Sequence, residues 1–127
     1  MKNETLLELE QLFLALSDKT RLALLGLMAA GPVSVGYLAD SLELSQPKIS
    51  RHLAYLRSSG LVSTRRDGKW IYYGIEFPSS SSARHVLAET LALLSSSEPV
   101  PIRYSQTFTP EPRAGSEDRE EMAVHLL

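Results

Sequence analysis

The side chains best suited to binding chemistry in this sequence are cations clustered in one short stretch. Residues 45–70 hold six of the 13 lysines and arginines and a single acidic residue. These cations are Lys48, Arg51, Arg57, Arg65, Arg66 and Lys69. The segments 1–44 and 98–127 each carry three basic and six acidic residues, so the formal net charge of −2 conceals the cluster. Binding to a nucleic-acid duplex releases counterions and needs clustered positive charge, so the stretch predicts phosphate contacts.

Other chemistries lack the residues that they need. The chain has no cysteine, which excludes disulfides, zinc–thiolate sites and cysteine nucleophiles. The three histidines, at positions 52, 85 and 125, are scattered and do not form a metal site. The sequence shows no paired carboxylates, no glycine-rich phosphate loop and no Ser-His-Asp spacing. It therefore predicts no enzyme, no metal and no other cofactor.

The spacing of apolar residues predicts the elements that position the cations. Helices are expected at residues 4–16, 19–30, 34–42, 45–59 and from 79–82 to 95. Asp67-Gly68 lies between two β-prone runs, 61–66 and 69–75, and predicts a tight hairpin with positive φ at both turn positions. The fold class is therefore mainly α with a small β-hairpin (α+β).

The helix at 45–59 has one thin apolar stripe and a polar outer face. Ser45 is a good N-cap and Pro47 falls in the first turn, where a missing N–H costs little. The apolar residues are Ile49, Leu53 and Leu56; the outer face carries Lys48, Arg51 and Tyr55, flanked by Ser50 and His52. On a single helix such a charge run is usually only a solvated face. Here it coincides with a short helix, a tight turn and a hairpin, which favours DNA.

This arrangement predicts a winged helix-turn-helix with about five helices and a two-stranded wing. The helix 45–59 fits the major groove, which is ~12 Å wide, and its N-terminal half would meet base edges. The tip of the hairpin 61–75 would place Arg65, Arg66 and Lys69 over an adjacent backbone or minor groove.

Three motifs resemble those of the ArsR/SmtB-type winged-helix repressors. Residues 16–22, LSDKTRL, resemble the "L-x-D-x-T-R-L" opening of that family. Residues 44–56 are similar to its recognition-helix signature, and residues 60–73 resemble its wing. The resemblance covers about residues 5–95, and the three motifs occur in the same order as in the family.

The resemblance implies a homodimer that represses transcription from a palindromic operator of double-stranded DNA, with an unidentified small molecule as a possible inducer. By position it makes Ser45, Gln46, Lys48, Ser50 and Arg51 groove or phosphate contacts. His52 and Tyr55 are further candidates, and His52 is equally explained as a packing residue or a phosphate contact. The implied dimer interface lies on the first and last helices, at Leu6, Leu9, Phe13, Leu87, Leu91 and Leu94. The apolar stripe of the first helix is wider than one core face needs, in agreement with such an interface.

The chain departs from the metal-sensing members of that family. Ser34 and Gly36 stand where many of those members carry paired cysteines at the start of the third helix. Residues 83–85, Ala-Arg-His, lack the Asp of a second common site on the last helix. Soft-metal binding therefore lacks its ligands. Trp70, Tyr72, Tyr73 and Phe77 could line an inducer pocket, but packing of the hairpin is the favoured interpretation.

The domain prediction is a DNA-binding and dimerisation domain at 1–97, followed by a proline-rich extension at 98–127 that is disordered or ends in a short helix at 116–127. The longest apolar run, residues 22–31, is too short for a bilayer, which needs about 20 residues. With no signal-peptide pattern at the start, a cytoplasmic protein without membrane contact is expected. The alternative function is a winged-helix module that binds protein through the same helix; salt-sensitive binding to duplex DNA separates the two.

Overall fold

Five helices and three short strands make up residues 2–95, the part of the chain that a computed structural model describes. The elements are α1 (Asn3–Leu16), α2 (Lys19–Met28), β1 (Val33–Ser34), α3 (Val35–Leu42), α4 (Gln46–Ser58), β2 (Val62–Asp67), β3 (Trp70–Ile75) and α5 (Ser81–Ser95). All five expected helices are present. The expected extension 98–127, with its helix at 116–127, lies outside the described residues.

Side-chain caps begin three of these helices, and the cap at Ser45 is the one named in the sequence analysis. The Asp18 carboxylate accepts a hydrogen bond from the Arg21 backbone N–H at 3.0 Å and caps α2. The Ser34 hydroxyl accepts from the backbone N–H of Tyr37 at the start of α3. The Ser45 hydroxyl accepts from the Lys48 N–H at 3.4 Å, and Pro47 lies in the first turn of α4. Each cap satisfies one of the free N–H groups of a helix N-terminus.

The sheet has three antiparallel strands in the order β1-β3-β2, so the expectation of a two-stranded wing was wrong. Val33 pairs with Tyr73 and Ser34 with Tyr72. Ser34, assigned from sequence to the start of a helix, has the extended backbone of an N-cap residue (φ −86°, ψ 160°). Because an extended N-cap leaves its backbone free to pair, residues 33–34 cover the outer edge of β3 before α3 begins.

The hairpin turn lies one residue later than expected. Asp67 pairs with Trp70 within the ladder, so Gly68 and Lys69 connect the strands. Of the two expected turn residues, only Gly68 has a positive φ (65°). Two-residue turns with glycine at the first central position need positive φ only there, which explains why Asp67 remains in the strand.

The core lies between the helices and the inner face of the sheet. The three stripe residues of α4 (Ile49, Leu53 and Leu56) are fully buried, as the spacing predicts. Tyr73 anchors the wing in this core, and burial raises the pKa of its phenol to about 12. The hairpin therefore rests on the helices through β3.

Two of the expected interface residues belong to this core instead. Leu87 is 0% and Leu91 8% exposed, because α5 turns them toward α1 and α2. Leu94 is half-buried near Gly26 of α2, where a Cβ would lie 3.2 Å from the Leu94 Cβ. The burial of Leu87 and Leu91 therefore contradicts their assignment to a surface for a second chain.

Apolar side chains are instead exposed along α1. Leu6 and Phe13, both expected at the interface, are 53% and 54% exposed, and Leu9 is partly buried. Leu7 and Leu14 on α1 and Leu93 on α5 are exposed as well.

Among residues 2–95, no helix has the length and apolar character that crossing a membrane requires.

Candidate nucleic-acid interface

The outer face of α4 is formed by polar residues that the core leaves uncovered. Arg51 and Tyr55 are exposed, whereas Lys48, Ser50 and His52 are partly exposed. The helix is fixed from beneath by its stripe, which packs toward α2, α3 and β2. A helix anchored in this way presents a rigid polar surface rather than a flexible one.

Gln46 differs from the other residues that the sequence assigns to DNA contact. Its side chain is 7% exposed, and its Oε1 atom is buried without a hydrogen-bond partner within the described residues. Ser45 is also engaged, since its hydroxyl caps α4. The first turn of α4 therefore offers fewer free polar groups than its sequence suggests.

The wing holds the second group of cations at its tip. Arg65, Arg66 and Lys69 are all exposed. Because successive strand residues point to opposite faces, Arg65 and Arg66 extend from the two sides of β2. Arg66 also donates from Nη1 to the Gly68 carbonyl at 3.4 Å, and the Lys69 Nζ lies 5.5 Å from the centroid of the Trp70 ring.

His52 on α4 faces the junction between α1 and α2. Its Nδ1 lies 3.8 Å from Oδ2 of Asp18. Desolvation by burial lowers the pKa of His52 from 6.5, the Asp18 carboxylate opposes that shift, and the cations Arg21, Lys48 and Arg51 add to it. The imidazole is therefore mostly neutral at pH 7 in the free protein.

Tyr55 contacts a residue that the sequence reasoning did not assign to the site. The guanidinium carbon of Arg21 lies 4.2 Å from the centroid of the Tyr55 ring, a cation–π arrangement. The signal that could have found it is the run LSDKTRL at 16–22, in which Arg21 follows the cap residue Asp18 by three positions.

Two open cavities lie on the part of the chain that the structure describes. One, of about 570 Å³, lies at the base of the wing and is bordered by Glu8, Arg57, Glu76 and Phe77. The other, of about 430 Å³, lies between the end of α2 and strands β2 and β3. Tyr73 packs in the core rather than lining either cavity. Within residues 2–95, no three His, Asp or Glu side chains come together as a metal site would require.

The sequence from the cap of α2 to the first half of β2 matches a known family. Residues 18–64 match the model of the family described as "Bacterial regulatory protein, arsR family". Over 80 residues the chain is 45% identical to the arsenic resistance transcriptional regulator ArsR2 of Pseudomonas putida, covering 62% of this chain and 70% of that protein. The chain belongs to the ArsR family.

Another relative and a solved structure are similar to this ArsR-family chain. It is 52% identical over 64 residues to the arsenical resistance operon repressor of Escherichia coli K12, covering 50% of this chain and 55% of that protein. It thus spans about half the length of that repressor. The solution structure of the homodimeric winged helix-turn-helix DNA-binding domain of Mb0332 from Mycobacterium bovis is similar, with a TM-score of 0.59 and 26% identity over 73% of this chain and 86% of that domain.

Proposed function

We propose that this ArsR-family chain is a dimeric, sequence-specific DNA-binding regulator that represses transcription. The observation that carries the proposal is that α4 and the wing expose two separate groups of cations, each on a rigid element. A solvated charge run on one helix would not also place cations at the tip of a hairpin. Counterion release from DNA needs such clustered charge.

In the proposed complex α4 lies in the major groove of the operator. Its 13 residues extend about 20 Å at 1.5 Å per residue, enough to cross the groove. Arg51 is the best placed residue for base contact, because it is exposed on the middle of the outer face. Lys48 and Ser50 supply further contacts. The N-terminus of α4, which Ser45 caps, would lie close to a phosphate.

The wing contributes contacts that do not depend on sequence. Arg65, Arg66 and Lys69 would reach phosphates beside the groove that α4 occupies. Since Arg65 and Arg66 extend from opposite sides of β2, the tip can meet the backbone from either face. Gln46 is left out of the proposed contacts because its side chain is buried.

The proposed dimer buries the exposed apolar residues of α1. Leu6 and Phe13, seven positions apart, lie on one side of α1 and are more than half exposed. Mb0332, whose fold is similar, forms a homodimer. A two-fold dimer presents two copies of α4 to an imperfect palindrome with half-sites one or more turns apart.

We further propose that repression is relieved by an inducer other than a soft metal. The relative in E. coli is a repressor of an arsenical resistance operon. In this chain Ser34 caps α3 and Gly36 is buried, so these two positions supply no thiolate. An unidentified small molecule is the remaining class of inducer, and the regulator would work on DNA in the cytoplasm.

Binding to the upstream DNA of the gene that encodes this chain tests the proposal. The affinity for that fragment and for a random duplex of equal length is measured by fluorescence anisotropy at two salt concentrations. Tighter, salt-sensitive binding to the upstream fragment supports a regulator. Absence of binding even at low salt contradicts it and favours a protein-interaction module, because only DNA binding releases counterions.

A further inference from the structure

We propose that Arg21 is a positioning residue that fixes the direction of α4 relative to α1, acting through the ring of Tyr55. The inference rests on the proposed function, since it concerns how α4 is presented to DNA. It assigns the Tyr55 ring to a contact within the protein rather than to a base.

One end of this connection is the C-terminus of α1. The Arg21 Nε donates to the Ala15 carbonyl at 2.8 Å, and its Nη2 donates to the Leu14 carbonyl at 3.0 Å. The last turn of α1 contains no basic residue of its own. Arg21 therefore supplies the cation that the negative end of a helix favours. It donates to two carbonyls near the C-terminus of α1, of which the Leu14 carbonyl also accepts from the backbone N–H and the hydroxyl of Ser17.

The other end is the outer face of α4. The same guanidinium stacks against the Tyr55 ring with its carbon 4.2 Å from the centroid. Arg21 is partly buried and Tyr55 is 40% exposed, so the contact is shielded on one side only. A guanidinium can donate in its plane and stack with its face at the same time, which an ammonium cannot do.

A second contact joins the same two regions. Asp18, the cap of α2, lies 3.8 Å from Nδ1 of His52. His52 and Tyr55 are three residues apart and share one face of α4. The junction between α1 and α2 thus approaches α4 at two adjacent points, and the stacking of Arg21 on Tyr55 is the one that holds the outer face of α4.

This connection sets the spacing of the two recognition helices in the proposed dimer. If α1 lies at the two-fold axis, a fixed direction of α4 relative to α1 fixes the distance between the two copies of α4. Half-sites must then match that distance, which is about 34 Å per helical turn of DNA. The Arg21–Tyr55 contact is accordingly expected to determine tolerance to changes in half-site spacing.

The test compares the operator with versions in which one base pair is inserted or removed between the half-sites. Wild type is expected to discriminate strongly among them. Tyr55→Leu is expected to reduce that discrimination roughly twofold to fivefold, the range that removal of an exposed cation–π interaction implies. Tyr55→Phe keeps the ring and is expected to match wild type. Glu89→Gln, at an exposed position of α5, is the control.

Arg21→Lys provides a second variant that keeps the charge but removes the planar fork. It is expected to reproduce the effect of Tyr55→Leu, and the double variant is expected to be no worse than either, because both act through one contact. Thermal unfolding and sedimentation of each variant establish that fold and dimer are retained.

Unchanged spacing discrimination in Tyr55→Leu would overturn the inference while leaving the proposed function intact. Tyr55→Phe as impaired as Tyr55→Leu would also overturn it, because the hydroxyl would then act on DNA directly. Failure of wild type to bind any duplex would overturn the proposed function and this inference together.

Discussion

At the scale of single residues, some side chains on the outer face of α4 are exposed for the proposed DNA contact, and others contact the rest of the chain. The Arg51 side chain is exposed to solvent in the middle of this face. His52 and Tyr55 instead contact Asp18 and Arg21 of the α1–α2 junction. Side chains one to four positions apart on a helix can thus have different tasks, because their surroundings differ.

Arg51→Ala is expected to weaken specific binding by roughly 1–3 kcal/mol and to relax preference at one base pair, as removal of a bidentate base contact does. Competition binding against operators with single base changes measures both effects. Arg84→Ala, which removes an exposed arginine from α5, is the control and should leave both unchanged. Equal weakening on all sequences would assign Arg51 to phosphate instead.

His52 predicts a pH dependence of stability with a definite sign. Because burial lowers its pKa below 6.5 in the folded chain, the unfolded chain binds the proton more readily. The free energy of unfolding should therefore fall as the pH drops below about 6.5. Above that pH, the titration of His52 should not change the free energy of unfolding. Urea unfolding between about pH 5 and pH 8 measures it. His52→Gln should remove this part of the slope; a variant with the wild-type slope would contradict the assignment.

At the scale of elements, α4 is held by its apolar stripe and by its cap. Leu53 lies in the middle of that stripe and is 1% exposed. Leu53→Ala is expected to lower the free energy of unfolding by about 2–5 kcal/mol, as cavities in cores do. Ala54→Ser, at the exposed neighbouring position, should change it by no more than about 0.5 kcal/mol. Denaturant unfolding of both variants gives the comparison, and similar losses of stability would contradict the burial of Leu53.

The elements that the sequence predicts best are those with local signals. The cap at Ser45 and the stripe of α4 depend on spacing within one segment, and the structure confirms them. Strand β1 could not be predicted, because two residues carry no periodicity and pair only when β3 is beside them. The hairpin turn lies one residue later than predicted because, of the two predicted turn residues, only Gly68 adopts a positive φ.

The exposure of the candidate site residues was predicted in outline, and the structure differs where tertiary packing decides. Exposure of Arg51 and of the wing cations follows from their position on amphipathic elements. Burial of Gln46 and of Leu87 depends on which helix lies over them, and a single sequence does not contain that information. The contact of Arg21 with Tyr55 spans 34 positions of sequence and was missed for the same reason.

At the scale of the whole molecule, the exposed apolar side of α1 predicts a dimer that forms through this helix. Phe13 is 54% exposed, so a charge there leaves the core intact but opposes burial in a dimer. Phe13→Glu is expected to weaken dimerisation by at least about 2 kcal/mol, measured by sedimentation equilibrium. Gln11→Glu, about 200° away around α1, is the control. A dimer unaffected by Phe13→Glu would place the interface elsewhere.

The most direct test of DNA binding is the salt dependence of affinity for the upstream duplex, measured for wild type and for a chain with Arg65, Arg66 and Lys69 all replaced by alanine. If the wing meets phosphates, the slope of log affinity against log salt should become shallower by up to about 0.9 for each phosphate that the wing variant no longer neutralises. Arg84→Ala should keep the wild-type slope. Equal slopes for wild type and the wing variant would contradict DNA binding through the wing.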